Sequence, residues 1–218
     1  MEPIHPSLML RRYLLFGKIG REDDEKYRIL SVFNMQIDNK EIELKLPLTN
    51  TQDIIDKLIS LEAIFISEVT QHDYLYDSPF IDFKKKDEAL RLRHEICEEN
   101  EKVFLTYKGP ATFSSEGHKI REEHEVEVSD FAKMQKILKG LRFENTAIVK
   151  KIRRTYRVND IIIAVDSLPF GDFIELEGDA KKSEIVRQKL GLGTVEPIKK
   201  GYIFLQMEWE GKNNPINK

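Results

Sequence analysis

The chain of 218 residues is poor in cysteine, because Cys97 is the only one. A single cysteine excludes an intrachain disulfide and a zinc site built from several thiolates. It fits a reducing compartment, and a cytoplasmic location is therefore expected. No apolar run is long enough to cross a bilayer, so no membrane partner is predicted.

An excess of one charge is also missing. The chain has 35 basic and 38 acidic residues and a formal net charge of -3, although 33% of its residues are charged. This balance argues against a general binder of nucleic acid or of membrane surfaces, and no nucleic-acid partner is predicted. A glycine-rich phosphate loop is absent as well.

The composition, 40% hydrophobic, suits one globular domain with at most a small appendage. We expect residues 1–34 to be an N-terminal extension, residues 35–208 to form the folded domain, and residues 209–218 to be a C-terminal tail. Two interpretations of the extension are open. It is either an amphipathic arm or a non-native, disordered segment, with synthesis starting at Met35.

Apolar periodicity predicts several strands and three helices along the folded domain. Helices are expected over 52–61, 129–141 and 180–190. Strands are expected over 63–76, 88–96, 103–108, 120–128, 146–158, 161–166 and 173–177, with a further strand near residue 43. About eight strands with helices between them indicate an α+β fold, either an antiparallel sheet or a closed barrel flanked by helices.

The segment Glu41-Ile42-Glu43-Leu44-Lys45 alternates charged and aliphatic residues. In an extended strand, alternate side chains point the same way, so the three charged residues share one face. Two like charges so close together repel each other unless a ligand of opposite sign holds them. A divalent cation is the obvious candidate.

The same alternation recurs along the chain, with like charges two residues apart on several predicted strands. If each set faces one way, the shared surface contains both basic and acidic groups. The basic groups are Lys45, Arg91, Arg93, Lys108, Arg121, Lys151 and Arg153. The acidic groups are Glu41, Glu43, Glu123, Glu125, Asp166, Glu175 and Glu177.

Taken singly, each charged pair is typical of a solvated strand face. As a set, the pairs favour a barrel that is charged inside and covered by apolar contacts outside, because repulsion between like charges needs ligands of opposite sign. Converging Arg and Lys groups suit phosphate oxygens. Clustered carboxylates without sulfur ligands suit Mg²⁺ or Mn²⁺. A polyphosphate with its metal would complement both sets.

These motifs resemble the CYTH superfamily of triphosphate tunnel metalloenzymes, in its branch similar to class IV adenylate cyclases. Residues 41–45 match the ExExK signature of that superfamily. The resemblance covers residues 37–205 and continues in order through 71–77, 88–93, 105–110, 121–123, 151–156, 173–178 and 200–202.

The resemblance implies an eight-stranded antiparallel β-barrel, the triphosphate tunnel, in a CYTH domain over 35–208. By matching position it assigns triphosphate binding to Lys45, Arg91, Arg93, Lys108, Arg121, Lys151 and Arg153. It assigns binding of Mg²⁺ or Mn²⁺ to Glu41, Glu43, Asp166, Glu175 and Glu177. Catalytic roles fall on Glu43, Lys45 and Glu175. The expected partner is a small-molecule triphosphate, and the expected state is a monomer or homodimer.

The preferred hypothesis is therefore an enzyme that hydrolyses a triphosphate with the help of a metal. The first alternative is a class IV adenylate cyclase that converts ATP to cyclic AMP. Such cyclases usually carry a His-Phe pair shortly before ExExK, and residues 35–40 contain none. The second alternative is a non-catalytic polyphosphate sensor, which the many carboxylates disfavour.

Overall fold

The computed structural model describes residues 40–98 and 100–213. The elements in this part of the chain are as follows, in chain order. They are β1 (Lys40–Leu48), α1 (Thr51–Ser60), β2 (Ile64–Asp77), α2 (Phe83–Lys86), β3 (Ala89–Ile96), β4 (Glu101–Lys108), β5 (Thr112–Phe113), β6 (Lys119–Val128), α3 (Phe131–Gly140), β7 (Glu144–Val158), β8 (Ile161–Leu168), β9 (Gly171–Glu177), α4 (Ala180–Lys189) and α5 (Tyr202–Asn213).

The strands close into a barrel. Their order is β1-β9-β8-β7-β2-β3-β4-β6, and β6 pairs again with β1, so eight strands form the ring. All the pairings are antiparallel, and the short β5 adds to β6 at the side. Closure gives each of the eight strands a partner strand on both sides. The predicted α+β class and eight-stranded antiparallel barrel are confirmed.

The largest apolar core lies outside the barrel, between its wall and two helices. The aliphatic side chains of β1, Leu44 and Leu46, are fully buried there. They pack with Ile54 and Leu58 of α1 and with Val186 of α4. Burying one such side chain stabilises the fold by about 1.5–3 kcal/mol. Since the outer faces are apolar and covered, the alternating charged residues of the same strands must face the barrel interior.

Two helices begin at polar side chains that cap them. Asn50 accepts a hydrogen bond from the Asp53 backbone N–H at 3.2 Å and caps α1. Asp130 does the same for Lys133 at 2.9 Å and caps α3. Such caps satisfy N–H groups that have no partner within the helix. Helix α3 covers the wall formed by β3 and β4, where Leu92 is fully buried.

Helix α5 was not predicted. It lies at the end of the barrel where a third apolar cluster joins Leu168 and Phe173 to Tyr202 and Leu205. The preceding segment is tied to β1, because the Ile198 N–H donates to the Lys45 carbonyl at 2.8 Å. The start of α5 is thereby positioned against the barrel interior.

Some sequence expectations differ from the structure in detail. The one-turn helix α2 and the short strand β5 lie outside the ranges predicted for helices and strands. The predicted boundary between 208 and 209 falls inside α5. The proposed extension, 1–34, lies outside the described residues, so the division into segments stays a prediction. None of the described helices has the length and apolar character needed to span a membrane.

Candidate active site

The alternating strands bring most of the predicted charged residues together inside the barrel. The interior side chains that are buried include Glu41 and Lys45 of β1, Lys151 of β7 and Asp166 of β8. The ion pairs that these residues form, with one another and with Lys108 and Glu175, cross from strand to strand, which requires that the partners face one another. Charges buried in this way are expected to be paired or to hold ligands.

A basic cluster surrounds Asp166, which is completely buried. Its Oδ2 accepts a hydrogen bond from Lys151 Nζ at 3.0 Å. The Arg153 guanidinium binds both carboxylate oxygens, at 2.7 and 2.6 Å, and also contacts Glu175. Glu175 in turn lies 3.1 Å from Lys45. We call these five residues the Asp166 cluster.

Burial and neighbouring charges shift the pKa values of the Asp166 cluster, some upward and some downward. Burial opposes ionisation of Glu175, but Lys45 and Arg153 overcome it and hold the pKa of that carboxyl well below its usual range. The pKa of Lys45 is raised, because Glu175 and Glu43 outweigh burial. Burial and the adjacent Arg153 lower the pKa of Lys151 to about 8. The cluster therefore fixes ionised carboxylates among cations.

A second group of buried charges lies on β2 and β3. Arg93 donates to both oxygens of Asp73, at 2.6 and 2.8 Å. Burial alone would raise the pKa of Asp73, but Arg93 and then Arg91 hold it well below its usual value. Arg91 itself lies 3.2 Å from Glu125 and 3.6 Å from Glu123. Both arginines thus have carboxylate partners within the protein.

An acid-rich region, here called the glutamate site, consists of Glu41, Glu43 and Glu177. Glu43 of β1 is the cross-strand partner of Glu177 of β9, an arrangement of like charges that destabilises a sheet. Lys108 contacts Glu41 at 2.9 Å, and Lys119 lies 3.6 Å from Glu43. Among the described residues, Glu177 has no ion-pair partner.

Burial and then the neighbouring carboxylates Glu41 and Glu123 raise the pKa of Glu177 to about 7.

The residue after Glu177 must be a glycine for the chain to turn at the end of β9. Gly178 follows it with φ +135°, and a Cβ at that position would lie 2.8 Å from an Ile161 side-chain carbon. Glycine avoids both the strain and the collision.

Four of the five predicted metal ligands border one small cavity. Asp166 does not line it, because it is completely buried against Lys151 and Arg153. The cavity has a volume of about 50 Å³ and is lined by the glutamate site together with Glu175 and Arg153. Within 40–98 and 100–213, no three His, Cys, Asp or Glu residues are already arranged to hold a metal ion. The oxygen donors, and Glu177 without an ion-pair partner in the described part of the chain, nevertheless fit a hard divalent ion such as Mg²⁺ or Mn²⁺.

Arg121 differs from the other predicted phosphate ligands. It is buried, and its guanidinium donates to the backbone carbonyls of Gly109 and Asp87, each at 2.8 Å. These contacts join two turns at one end of the barrel. Its assignment to triphosphate binding stays a prediction. In the structure the Arg121 side chain stabilises the fold through these backbone hydrogen bonds.

Sequence reasoning missed several interior residues, among them Lys119, Asp73 and Tyr202. Lys119 is two residues before Arg121 on β6, so the alternation that indicated Arg121 also indicates Lys119. Asp73 lies on the same strand face as Gln71, which is also buried. Tyr202 lies in a segment without strand alternation, and its place among charged residues could not be inferred from spacing.

The fold and interior describe a class of protein: a closed antiparallel barrel whose tunnel is lined by acidic and basic side chains. Residues 39–202 match the CYTH domain. This match covers most of the chain. The chain therefore belongs to the CYTH domain family.

The chain is also similar in sequence and in structure to several known proteins. A Methanocaldococcus jannaschii protein, provisionally named an adenylate cyclase, is 36% identical over 138 residues, which are 63% of this chain and 75% of the relative. A Pyrococcus horikoshii structure shows a TM-score of 0.66 and 30% identity, and the match covers 78% of this chain and 99% of that one.

A Hippeastrum structure has a TM-score of 0.60 at 21% identity, covering 81% of this chain and 98% of its own. That protein carries the provisional name adenylyl cyclase and is described as having a dominant triphosphatase activity. At this level of identity the likeness concerns the fold.

Proposed function

We propose that this protein is an enzyme that hydrolyses a small-molecule triphosphate inside the barrel. The proposal depends on one observation: basic groups from several strands converge in a closed interior, next to carboxylates that fit a divalent cation. Lys45, Lys151 and Arg153 are brought together around Asp166. Arg91, Arg93 and Lys108 extend the basic surface along the other wall. Such a surface suits a linear polyanion.

The substrate would enter by exchanging ion partners. The basic groups of the interior already contact carboxylates, so a triphosphate requires side chains to move. Phosphate oxygens would replace carboxylates as partners of the basic groups, for example at Lys108, which now contacts Glu41. The total charge in the interior changes little if divalent cations enter with the substrate.

A bound Mg²⁺ or Mn²⁺ would neutralise phosphate oxygens and lower the pKa of a water molecule. The predicted ligands for it are Glu41, Glu43, Glu175 and Glu177, with Asp166 nearby. Among them, Glu175 already forms ion pairs with Lys45 and Arg153. Because Glu41 also has a close cation partner, Glu43 and Glu177 are the carboxylates with the weakest ion pairing to the protein.

In the proposed reaction, the oxygen of a water molecule forms a bond to the terminal phosphorus. The bond between that phosphorus and its bridging oxygen breaks, and the remaining diphosphate leaves with the bonding electrons. Glu43 would take the water proton, since its cation contact with Lys119 is long at 3.6 Å. Lys45 and Arg153 would stabilise the charge that shifts between phosphate oxygens.

The experiment is a phosphate-release assay with inorganic triphosphate, ATP and thiamine triphosphate under Mg²⁺ and Mn²⁺. We expect release from one or more of them, with loss of activity in Glu43→Gln and no change in Glu68→Gln, which alters an ion pair outside the barrel. Lack of release from every substrate under both metals would refute the proposal. Tight triphosphate binding without turnover would establish the sensor instead.

Adenylate cyclase activity is the second candidate, because the relative that is 36% identical bears that name. In that reaction a ribose hydroxyl replaces water as the nucleophile and diphosphate leaves. The absence of a His-Phe pair in residues 35–40 argues against it. Analysis of the ATP reaction for cyclic AMP separates the two activities.

A further inference from the structure

Tyr202 occupies an unusual position at the junction of α5 and the charged interior. Its ring packs edge-on against Phe173 in the apolar cluster, with centroids 5.3 Å apart. Its hydroxyl donates a hydrogen bond to Asp166 Oδ2 at 2.9 Å. One side chain therefore connects apolar packing to the centre of the Asp166 cluster.

The same ring faces two lysine ammonium groups. Lys45 Nζ lies 4.0 Å from the ring centroid and Lys151 Nζ lies 4.7 Å from it. Both distances are within the range of favourable cation–π contacts, which extends to about 6 Å. The lysines come from β1 and β7, which two other strands separate in the barrel. Tyr202 thus joins opposite parts of the tunnel wall.

Lysine side chains need such restraint if they are to hold phosphates in one geometry. Each has a flexible four-carbon stem and a compact charge, so a single carboxylate contact fixes its direction poorly. The nearest carboxylate of Lys45 is Glu175 at 3.1 Å, and that of Lys151 is Asp166 at 3.0 Å. The aromatic face provides a second contact for each ammonium group.

We propose that Tyr202 is a positioning residue, which holds Lys45 and Lys151 in the arrangement that binds the triphosphate. This inference rests on the proposed function and assigns α5 a part in substrate binding. The ring supplies the contact with both lysines, while the hydroxyl orients Asp166. The residue itself is not required to touch the reacting atoms.

Steady-state hydrolysis of inorganic triphosphate in Mg²⁺ tests the proposal with three variants. Tyr202→Leu removes the ring, and we expect KM to rise about tenfold with a smaller change in kcat. Tyr202→Phe keeps the ring, and its KM should stay within about threefold of the original protein.

Leu205→Ala is the matched control, because it weakens the packing of α5 in the same apolar cluster without touching either lysine. Melting temperatures of all variants show how much each change loosens α5. Leu205→Ala should leave KM unchanged. An equal rise in KM for Leu205→Ala and Tyr202→Leu, or for Tyr202→Phe and Tyr202→Leu, would overturn the proposal.

A measurement without substrate separates this inference from the proposed function. Ring currents of Tyr202 should shift the NMR signals of the Lys45 and Lys151 ε-methylene protons upfield. The shift should persist in Tyr202→Phe and vanish in Tyr202→Leu. Absence of the shift in the unsubstituted protein refutes the positioning role, whereas absence of hydrolysis with the shift intact refutes the proposed function.

Discussion

The Asp166 cluster and the glutamate site are neighbours in one barrel, yet their charges are matched very differently. Strand β9 contributes Glu175 to the first and Glu177 to the second, two residues apart. Glu175 has Lys45 at 3.1 Å and also contacts Arg153. Glu177 faces Glu43 across the strand pair and has no cation partner in the described chain.

The difference shows how one strand can serve both folding and ligand binding. In the Asp166 cluster, each buried charge meets a partner of opposite sign within the protein, so the cluster can form without a ligand. In the glutamate site, burial and like charges oppose ionisation of Glu177, whose pKa is raised to about 7. That site gains most from an external cation. The following changes test this contrast.

The largest effect is expected from Asp166→Asn. The substitution leaves Lys151 and Arg153 buried beside each other with one carboxylate fewer, and it should lower the free energy of unfolding by about 3–5 kcal/mol. Denaturant titration measures the loss. Glu68→Gln is the control, since its pair with Arg154 lies on the outer surface and should contribute less than about 1 kcal/mol. Equal losses would contradict the contrast between inside and outside.

Glu175→Gln and Glu177→Gln should change stability with opposite signs. Glu175→Gln deprives Lys45 and Arg153 of a charged partner and should cost about 2–3 kcal/mol. Glu177→Gln removes a poorly matched charge and should add about 1–2 kcal/mol at pH 8, in the presence of a chelator. Unfolding curves of the two variants, recorded side by side, give both values. Destabilisation by both changes would show that the charges of the glutamate site are as well paired within the protein as those of the Asp166 cluster.

Acidification should weaken the fold through Asp73. Its folded pKa lies below the ordinary value of 3.8, so the stabilisation from its pair with Arg93 is fully present above that value. It is lost as the pH falls further, toward the folded pKa. The melting temperature should therefore drop between about pH 4 and pH 2, and the drop should be smaller in Asp73→Asn. An identical pH profile for the variant would exclude Asp73 as the source.

Strand alternation in the sequence favoured a barrel with most charged residues facing inward, and the resemblance to the CYTH superfamily supplied its eight antiparallel strands. Glu41, Glu43 and Lys45 share a face because alternate side chains of a strand must do so. Alternation does not reveal which strands become neighbours or how far each is staggered. The cross-strand pairing of Glu43 with Glu177, and the division into matched and unmatched regions, therefore emerged only from the register.

Helix α5 shows why another part of the site could not be predicted. Its first residues, Tyr202 to Leu205, form an uninterrupted apolar run without helical or strand periodicity. Because the helix packs at the barrel end, its contacts depend on the position of distant strands. The placement of Tyr202 beside Lys45 follows from that tertiary packing rather than from local pattern.

The smallest effect on stability is expected from Lys119→Met, at the border of the glutamate site. Within 40–98 and 100–213, Lys119 has one ion pair, a long one of 3.6 Å to Glu43. Burial lowers the pKa of Lys119, so the folded protein depends little on its charge. A triphosphate would be a stronger partner, and the substitution should raise KM about tenfold with unfolding nearly unchanged. Arg121→Met, two residues away, should lower the free energy of unfolding and leave KM nearly unchanged. The reason is that Arg121 already binds the carbonyls of Gly109 and Asp87. Phosphate-release kinetics and denaturant titration on both variants distinguish substrate binding from structural support. A loss of stability confined to Lys119→Met would contradict the roles assigned to the two residues.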